Sequence, residues 1–528
     1  MSSFRRHWFI IALIIVAGVT RFALLLLART HVHSDEAVIG LMGKHISEGR
    51  YFPFYMYGQA YAASTAWEGY LAVIPFKLFG VGVIPLKSCI VVLSLVCLVL
   101  FYVMARNIYD ETTALFSTLV FVLSPSLLKW HFEVRGYSFY FLSIVVLTIL
   151  FWRIASSRAP TRKDFILFGL ASGLSVCGCE LSLPLIAAFW VLLWLRRRLS
   201  IKNSGAALIG FLVGYSPVII FNLTHQFSNW RCVFGSITGA GSGGRSLPLL
   251  FRPSTFQQIF FQELPKFFGP DTTIWYYPQT SIIGLVFYAL ALLAVATALW
   301  PFIRSPAKIL QVIRGDLETN RSSKDFLMLI LTAACFVPYL MPVFRVPRYF
   351  LAGCFFLSVL VGRVLQRCFA APERWKRLLG ATLLLSILAG GIGAMIETGK
   401  RNEIETITLC QNGDEYCMTR IPGADLDAVE HHLREFHIGA AWATPPLCYL
   451  LQFETGETIA VSDAIFGWKH NVFPETVAMR QPSADETLVF VIETNSPLRR
   501  IVEERCTEAS GAPPLTAEYG TLSVIEQR

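Results

Sequence analysis

The sequence predicts an all-α polytopic membrane bundle of about 11 transmembrane helices, followed by a small soluble α/β domain. The chain of 528 residues is 54% hydrophobic and only 15% charged, with a mean hydropathy of +0.54, whereas soluble domains carry about 25% charged residues. Apolar runs long enough to cross a bilayer, which takes about 20 residues, recur until about residue 396. From residue 397 onward the composition is that of a soluble domain, so we expect two parts, 1–396 and 397–528.

Eleven apolar segments support the predicted helix count. They lie at 8–28, 86–105, 112–128, 136–152, 165–179, 182–195, 205–222, 281–300, 326–342, 349–366 and 378–396. Residues 62–80 are amphipathic, and we expect them to form a helix in the membrane interface. The first segment carries Arg21 and is followed by no small-residue cleavage site, so we interpret it as a retained helix rather than a signal peptide.

Lysine and arginine are distributed unevenly among the predicted loops. Segments 153–164, 196–202, 301–324 and 363–377 hold 18 of these residues in 58 positions, whereas 31–62 and 223–280 hold 6 in 90. Loops that stay in the cytoplasm are enriched in Lys and Arg. We therefore expect a multi-pass protein of the cell (inner or plasma) membrane, with a cytoplasmic N-terminus and an extracytoplasmic C-terminal domain. The net charge of +9 is then explained by topology, and no nucleic-acid partner is predicted.

Two predicted outer loops are long, 29–85 and 223–280, and the tail beyond them has its own pattern. In the tail, Leu426–Phe436 is predicted to be an amphipathic helix, with short strands at Thr458–Val461 and Thr487–Glu493. Cys410 and Cys417 are a plausible disulfide pair on the oxidising side, although sequence alone does not fix the pairing.

Charged side chains recur at the predicted outer ends of helices. Such residues are costly in a membrane protein and are usually functional or paired. They are Asp35, Glu36, Glu68, Glu133, Arg135, Glu180, Arg345 and Arg348. We expect them to converge on one membrane face, where they could support a polar reaction at the headgroup level. For any one of them except Asp35, a simple preference for interfacial water is an equally good interpretation.

The first outer loop carries several short motifs in order. Asp35-Glu36 is followed by Gly58-Gln59-Ala60-Tyr61, Glu68-Gly69-Tyr70 and Phe79-Gly80, and later by Glu133–Ser138 and Pro347-Arg348-Tyr349. This pattern resembles the GT-C glycosyltransferases, and more narrowly the bacterial protein mannosyltransferase and aminoarabinose transferase-like proteins of glycosyltransferase family 39. The chain departs from the pattern where it has Ala62 and Ala63 instead of a glycine, and where Ala440-Ala441-Trp442 replaces an aspartate-tyrosine-tryptophan.

The resemblance implies transfer of a monosaccharide from a polyprenyl-phosphate donor in the bilayer to a glycan, lipid or protein acceptor. It implies a single inverting displacement with Asp35 as general base and Glu36 beside it. Arginine binds phosphate through two donors, and a carboxylate can take the proton of an acceptor hydroxyl. The predicted donor-phosphate residues are Arg135, Arg345, Arg348 and Tyr349, and the predicted substrate-binding residues are Gln59, Tyr61, Glu68, Glu133 and Tyr137.

Other functions stay open at this point. Asp35, Glu36 and Glu133 could offer oxygen ligands to a divalent metal, but nothing in their spacing requires one, and we expect no cofactor. A lipid-linked glycan ligase or polymerase would use a large outer loop such as 223–280, and a transporter of lipid or sugar would place paired acids near the midplane. A sensor whose tail binds ligand is a further class. The early Asp-Glu loop favours the transferase.

Overall fold

The computed structural model describes residues 3–27, 32–238, 253–269, 281–305, 309, 321–340, 347–400, 403–409, 416–462 and 488–527. Within these residues, eight helices are long and apolar enough to cross a membrane. These spans are Trp8–Leu27, Val83–Ile108, Tyr137–Ser156, Ile201–Thr224, Ile282–Arg304, Ser322–Leu340, Arg348–Ala370 and Arg374–Lys400. The chain is therefore a multi-pass membrane protein.

Every predicted segment corresponds to a helix. The membrane part contains α1 (Ser3–Leu27), α2 (Ser34–Ser47), α3 (Ser64–Phe79), α4 (Val83–Ile108), α5 (Glu111–Leu123), α6 (Pro125–Trp130), α7 (Tyr137–Ser156), α8 (Arg162–Gly178), α9 (Leu183–Leu195), α10 (Ile201–Thr224), α11 (Ser228–Thr238), α12 (Pro253–Gln258), α13 (Leu264–Phe267), α14 (Ile282–Arg304), α15 (Arg321–Leu340), α16 (Leu351–Ala370) and α17 (Arg374–Lys400). Helices α5, α8 and α9 are shorter than the eight spans, so the count of 11 crossings stays a prediction.

The segment predicted as one helix over 112–128 is two helices. Helix α5 ends at Leu123, Ser124 is extended, and α6 begins at Pro125. Proline has no backbone N–H, and its ring clashes with the carbonyl four residues earlier, so it ends one helix and is well placed in the first turn of the next. This break turns α6 and the residues after it toward the end of the bundle where α2 begins.

Helices α2 and α3 form the first loop and pack against each other. The first turn of α2 is a capping box: the His33 ring accepts the Asp35 N–H, and the Glu36 carboxylate accepts the His33 N–H. Acidic residues in the first turn also interact favourably with the helix dipole. The capping pattern therefore fixes where α2 starts and where Asp35 lies.

Glycines let the helices of the bundle approach closely. A Cβ on Gly169 in α8 would lie 1.9 Å from the Ala207 oxygen in α10, and one on Gly210 would lie 2.2 Å from the Ile166 oxygen. In lipid, no hydrophobic effect drives helices together, so they associate through close van der Waals packing. Small residues at the interface permit this close approach. Helices α8 and α10 consequently pack backbone to backbone along their length.

The tail is a mixed α/β segment. It contains β1 (Glu403–Leu409), β2 (Tyr416–Pro422), α18 (Gly423–Glu435), β3 (Ala440–Ala443), α19 (Pro445–Glu454), β4 (Ala460–Ser462), β5 (Val489–Glu493), α20 (Pro497–Ser510), β6 (Leu515–Tyr519) and β7 (Leu522–Glu526). Strands β1 and β2 pair antiparallel, and the other five form one sheet in the order β4-β3-β5-β7-β6. Helix and strands lie where the sequence predicts them, whereas Cys410 falls outside the described residues. Division of the chain after residue 396 stays a prediction, since α17 continues to Lys400.

The tail shares a hydrophobic core with the first loop. Helix α19 packs on α2, and Leu447, Leu450 and Phe453 belong to the same buried cluster as Val38 and Leu41. A Cβ on Gly40 would lie 2.3 Å from the Phe453 ring, so only glycine leaves room for this contact. The helix that carries Asp35 is therefore covered by the tail.

Candidate active site

Asp35 lies in the first turn of α2 and is partly exposed. Its backbone N–H donates to His33 Nδ1 at 3.2 Å. In the part of the chain that the structure describes, no side chain is hydrogen-bonded to the Asp35 carboxylate. The carboxylate is thus held in place by its helix while its oxygens stay open to a substrate.

Glu36 is arranged differently from its neighbour. It is 2% exposed; its Oε1 accepts the Val134 N–H at 2.8 Å, and its Oε2 accepts the His33 N–H at 2.7 Å and a bond from Lys87 Nζ at 3.3 Å. These bonds join the start of α2, the turn before α7 and the start of α4. They fit a positioning role for Glu36 in place of the predicted catalytic one.

The turn between α6 and α7 carries a cluster of charges. Arg135 Nε lies 3.2 Å from Glu133 Oε2, and Lys129 Nζ lies 3.7 Å from Glu133 Oε1. Burial alone would raise the pKa of Glu133, but the Arg135 and Lys129 charges hold that pKa below its usual value. Glu133 is therefore a carboxylate bound to cations, which fits orientation of Arg135 better than the predicted contact with substrate.

Trp130 is fully buried, and two arginines of the predicted site, Arg135 and Arg348, both lie against it. The Cζ atom of Arg135 lies 5.7 Å from the Trp130 ring centroid, and that of Arg348 lies 6.0 Å from it. The Tyr137 ring packs edge-on against Trp130 at 4.9 Å, and Arg348 also lies over the Tyr349 ring at 5.8 Å. Cation–π contacts of this kind fix a guanidinium without neutralising it.

The predicted phosphate-binding residues therefore meet at one place, with one exception. Arg345 lies outside the described residues. Within them, the Nη1 atom of Arg135 is buried and has no hydrogen-bond partner. A buried donor of this kind is costly unless an acceptor reaches it, which makes it suited to an anionic ligand.

His33 connects this cluster to Asp35. Burial, followed by the charges of Arg135, Arg348, Lys129 and Lys87, holds the pKa of His33 well below its ordinary value. Four cations thus surround a residue that lies two positions before Asp35. The structure brings the start of α2 and the arginines together, although 100 residues or more separate them in the chain. Neither Lys87 nor Lys129 stands among the predicted site residues; a lysine in the first turn of an apolar span is the signal that could have identified Lys87.

Tyr61 lies between Asp35 and the arginine cluster. Burial and then the neighbouring Tyr349 and Asp35 raise the pKa of Tyr61 to about 12, so its hydroxyl stays protonated and able to donate. The ring is still 41% exposed. The preceding Gln59 donates its N–H to the Met56 oxygen at 3.0 Å, closing a turn in which Gly58 has a φ of 72°. That turn presents residues 59–61 toward the site.

Glu68 is bonded to the turn between α6 and α7. Its Oε2 accepts the Gly136 N–H at 2.6 Å, and burial raises the pKa of Glu68 to about 8. Gly136 has a φ of 80°, and a Cβ there would lie 2.5 Å from Ser64 Oγ, so only glycine fits. Glu68 therefore holds the turn that carries Arg135, and its contact with a substrate stays a prediction.

Ala62 stands where the resembled proteins have glycine. Its φ is 53°, a left-handed conformation that costs an alanine about 1–2 kcal/mol. The Ala62 N–H donates to both oxygens of Glu180, at 3.3 and 3.1 Å, and Asn229 Nδ2 donates to Glu180 Oε1 at 3.1 Å and to the Ala60 oxygen at 2.7 Å. These bonds hold the loop in the conformation that glycine would adopt freely.

A metal site is not formed by the described residues, among which no three His, Cys, Asp or Glu side chains are grouped for one. Glu36 and Glu133, which were considered as ligands with Asp35, already bind Lys87, Lys129 and Arg135.

Comparisons with known proteins agree with this architecture. A family model described as dolichyl-phosphate-mannose-protein mannosyltransferase matches residues 67–221. No curated protein sequence matches the chain significantly. Among solved structures, ArnT from Cupriavidus metallidurans bound to undecaprenyl phosphate aligns with a TM-score of 0.60 and 14% identity over 98% of both chains. AglB from Archaeoglobus fulgidus, in complex with an inhibitory peptide and a dolichol-phosphate, aligns with a TM-score of 0.52 and 11% identity over 87% of this chain and 65% of its own.

At sequence identities of 14% and 11%, these structural matches show the fold of the chain. The chain is a multi-pass membrane protein with the fold of the GT-C glycosyltransferases. Its family-model match confirms the resemblance to the mannosyltransferase-like members that the loop motifs indicated.

Proposed function

We propose that the chain transfers a monosaccharide from a polyprenyl-phosphate donor to a hydroxyl of a glycan, lipid or protein acceptor. The observation that carries the proposal is the position of Asp35 at the start of α2, next to His33 and the cations around it, where no side chain in the described part of the chain is hydrogen-bonded to its carboxylate. A base next to a phosphate-binding cluster at one end of a membrane bundle suits a reaction between a lipid-anchored donor and a polar acceptor.

The cations would bind the donor phosphate. Four cations, Arg135, Arg348, Lys87 and Lys129, lie in this cluster: Glu36 pairs with Lys87, Glu133 pairs with Arg135 and Lys129, and Arg348 lies over Trp130. Negative charge grows on the departing phosphate as the sugar leaves, so cations already in place stabilise the transition state without reorganising. Tyr349 lies beside Arg348 and could donate its hydroxyl to the same phosphate.

Asp35 would act as the general base. Its carboxylate would remove the proton of the acceptor hydroxyl as that oxygen attacks the anomeric carbon, a step that typically contributes about 10²–10⁴-fold. Attack from the side opposite the phosphate inverts the anomeric centre in one displacement. Asp35 and Arg348 both influence the pKa of Tyr61, so we propose that Tyr61, with Gln59 two residues before it, lies near the place where acceptor and donor would meet.

We place this site at the extracytoplasmic face. The basic residues at the other ends of the helices support this orientation, among them Arg162 at the start of α8 and Arg367 near the end of α16, because cytoplasmic ends are enriched in Lys and Arg. The N-terminus would then lie in the cytoplasm and the tail outside.

The test uses the purified protein in lipid with a radiolabelled polyprenyl-phosphate sugar. Label should pass to an added acceptor, or slowly to water. Asp35→Asn should abolish both reactions with unchanged thermal stability, whereas Asp427→Asn, on the exposed face of α18, should leave them intact. Turnover retained by Asp35→Asn would remove Asp35 from the base role.

A further inference from the structure

Glu180 is a carboxylate near the site that the proposed mechanism does not use. It begins the short turn between α8 and α9 and is partly exposed. A carboxylate offers about four lone-pair positions, and the bonds from Ala62 and Asn229 leave it able to accept further donors. Burial of its surroundings nevertheless raises the pKa of Glu180 to about 7. Glu180 is thus held by two neighbours while part of its side chain stays accessible.

A second polar group points to a ligand at the same place. The Tyr55 hydroxyl is buried and has no hydrogen-bond partner in the described part of the chain. After burial, the Glu180 charge is the largest influence on this hydroxyl, so the two groups lie within electrostatic reach of each other. A buried hydroxyl without a partner is costly, and a polar ligand at Glu180 would relieve that cost.

Aromatic rings line the same region. Tyr55 packs edge-on against Phe221 at 4.7 Å, and Phe54 stacks on Phe221 at 5.5 Å. Trp230 donates its indole N–H to the Tyr215 hydroxyl at 3.2 Å. Apolar walls with a few fixed polar groups are typical of small-molecule sites, and a carboxylate, the Tyr55 hydroxyl and aromatic rings together match a sugar, which has both hydroxyls and an apolar ring face.

The loop of residues 60–62 joins this region to the catalytic centre. Tyr61 lies within reach of Asp35, Arg348 and Cys232, whereas Ala62 is bonded to Glu180, which also lies within reach of Cys232. One residue of the loop thus lies within electrostatic reach of Asp35 and Arg348, and the next is bonded to Glu180. A sugar bound at Glu180 would lie against Tyr61.

We infer that Glu180, which Asn229 holds in position, and the neighbouring Tyr55 form a subsite that binds the hydroxyls of a sugar unit next to Asp35. The inference rests on the proposed function, which it extends from the reacting groups to the recognition of the sugar. The same chemistry would serve the sugar of the donor or a sugar of the acceptor, and the experiment distinguishes the two.

Equilibrium binding tests the donor arm without requiring turnover. Undecaprenyl-phosphate mannose, undecaprenyl-phosphate arabinose and bare undecaprenyl phosphate are titrated against the wild type and Glu180→Gln. The glutamine keeps an oxygen for Ala62 and Asn229, so the loop is retained. If the subsite binds the donor sugar, the wild type should bind a sugar-loaded lipid more tightly than the bare lipid. In Glu180→Gln, the ratio of these two affinities should fall about tenfold, while the affinity for the bare lipid stays unchanged.

Transfer to octyl mannoside tests the acceptor arm. For an acceptor site, the lipid affinities stay unchanged, and the KM for octyl mannoside rises about tenfold in Glu180→Gln while hydrolysis of the donor by water is retained. Glu504→Gln, which changes an exposed carboxylate in α20, should behave as the wild type in both arms.

Two results would overturn the subsite. One is an equal loss of affinity for loaded and bare lipid in Glu180→Gln, which would mean that Glu180 only orders the loop. The other is wild-type behaviour in both arms. Failure of the proposed function would instead show as retained turnover in Asp35→Asn, which the binding measurements do not depend on.

Discussion

The Oε1 atom of Glu36 accepts a hydrogen bond of 2.8 Å from the backbone N–H of Val134. This bond ties the first turn of α2, and with it Asp35, to the turn that carries Arg135. The other oxygen of Glu36 contacts Lys87 at 3.3 Å, and both side chains are almost fully buried. The relative position of Asp35 and Arg135 therefore depends on one buried carboxylate, that of Glu36.

Lys87→Met should destabilise the protein more than the double variant Lys87→Met/Glu36→Gln. Removing one partner of a buried ion pair leaves an uncompensated charge and costs about 3–5 kcal/mol, whereas replacing both can be nearly neutral. Thermal unfolding in detergent measures the difference. Equal destabilisation by the single and double variants would show that the pair is not coupled.

Arg135→Lys and Arg348→Lys should each weaken donor binding by about tenfold while the protein stays folded. Lysine keeps the charge but loses the planar group that stacks on Trp130 and the second donor to an oxyanion. Titration with undecaprenyl phosphate measures the affinity, and Arg500→Lys on the exposed face of α20 is the control. Unchanged affinity in both site variants would place the phosphate elsewhere.

Gly136→Ala should cost more stability than Gly49→Ala. Both glycines have left-handed backbones, with φ of 80° and 72°, so each variant incurs about 1–2 kcal/mol of strain. Only at Gly136 does the new Cβ also meet Ser64 Oγ at 2.5 Å and the Thr65 nitrogen at 3.0 Å, whereas nothing lies within 4 Å at Gly49. Thermal unfolding of the two variants measures the excess, and equal losses would show that the turn has room to shift.

Glu68→Gln should reduce the loss of stability on raising the pH. The folded-state pKa of Glu68, about 8, lies above its unfolded value of 4.5. Its contribution to stability is therefore complete below pH 4.5 and is lost as the pH rises toward 8. Glutamine stays neutral and still accepts the Gly136 N–H, so the midpoint of unfolding should fall less between pH 5 and pH 8 than in the wild type. Glu504→Gln on exposed α20 should leave the wild-type slope, and an unchanged slope in Glu68→Gln would show that Glu68 does not titrate in this range.

The long helices of the membrane part could be predicted from the sequence because each is mainly one apolar run. The break at Pro125 was missed, since the run 112–128 was predicted as one helix and is two, although the properties of proline explain it. The site could be predicted only in part. Asp35, Arg135 and Arg348 stand out as charges at helix ends. The positioning roles of Glu36 and Glu68 depend on backbone N–H groups of Val134 and Gly136, which carry no side-chain signal in the sequence.

The contact between the tail and α2 could not be predicted from the sequence. Glu457 is bonded to Lys44, to His45 Nε2 at 2.9 Å and to Arg50 Nη1 at 3.2 Å, and His45 Nδ1 in turn contacts the Tyr57 hydroxyl at 3.0 Å. More than 400 positions separate Glu457 from its partners. Glu457 belongs to the tail, which was expected to fold separately. Neither Glu457 nor its partners in the first loop differ in the sequence from ordinary polar residues.

Glu457→Gln should loosen the far end of α2 and lower turnover without changing donor affinity. Burial alone would raise the pKa of Glu457, but the bonds from His45 and Lys44 lower it to about 2, below the unfolded value of 4.5. The stability that Glu457 adds is therefore present above pH 4.5 and is lost as the pH falls toward 2. Glutamine removes the charge at every pH, so we expect a loss of about 1.5–3 kcal/mol at pH 7 and faster hydrogen exchange over residues 44–50.

The matched control for this variant is Glu435→Gln, an exposed carboxylate in the same tail. It should leave hydrogen exchange in α2 and the rate of transfer as they are in the wild type. Because Asp35 begins the helix that Glu457 holds at its other end, a lower kcat with an unchanged dissociation constant for undecaprenyl phosphate would mean that the tail sets the position of the base. Protection of residues 44–50 that is identical in Glu457→Gln and the wild type would show that the shared core of α2 and α19, and not the ion pairs, holds the helix.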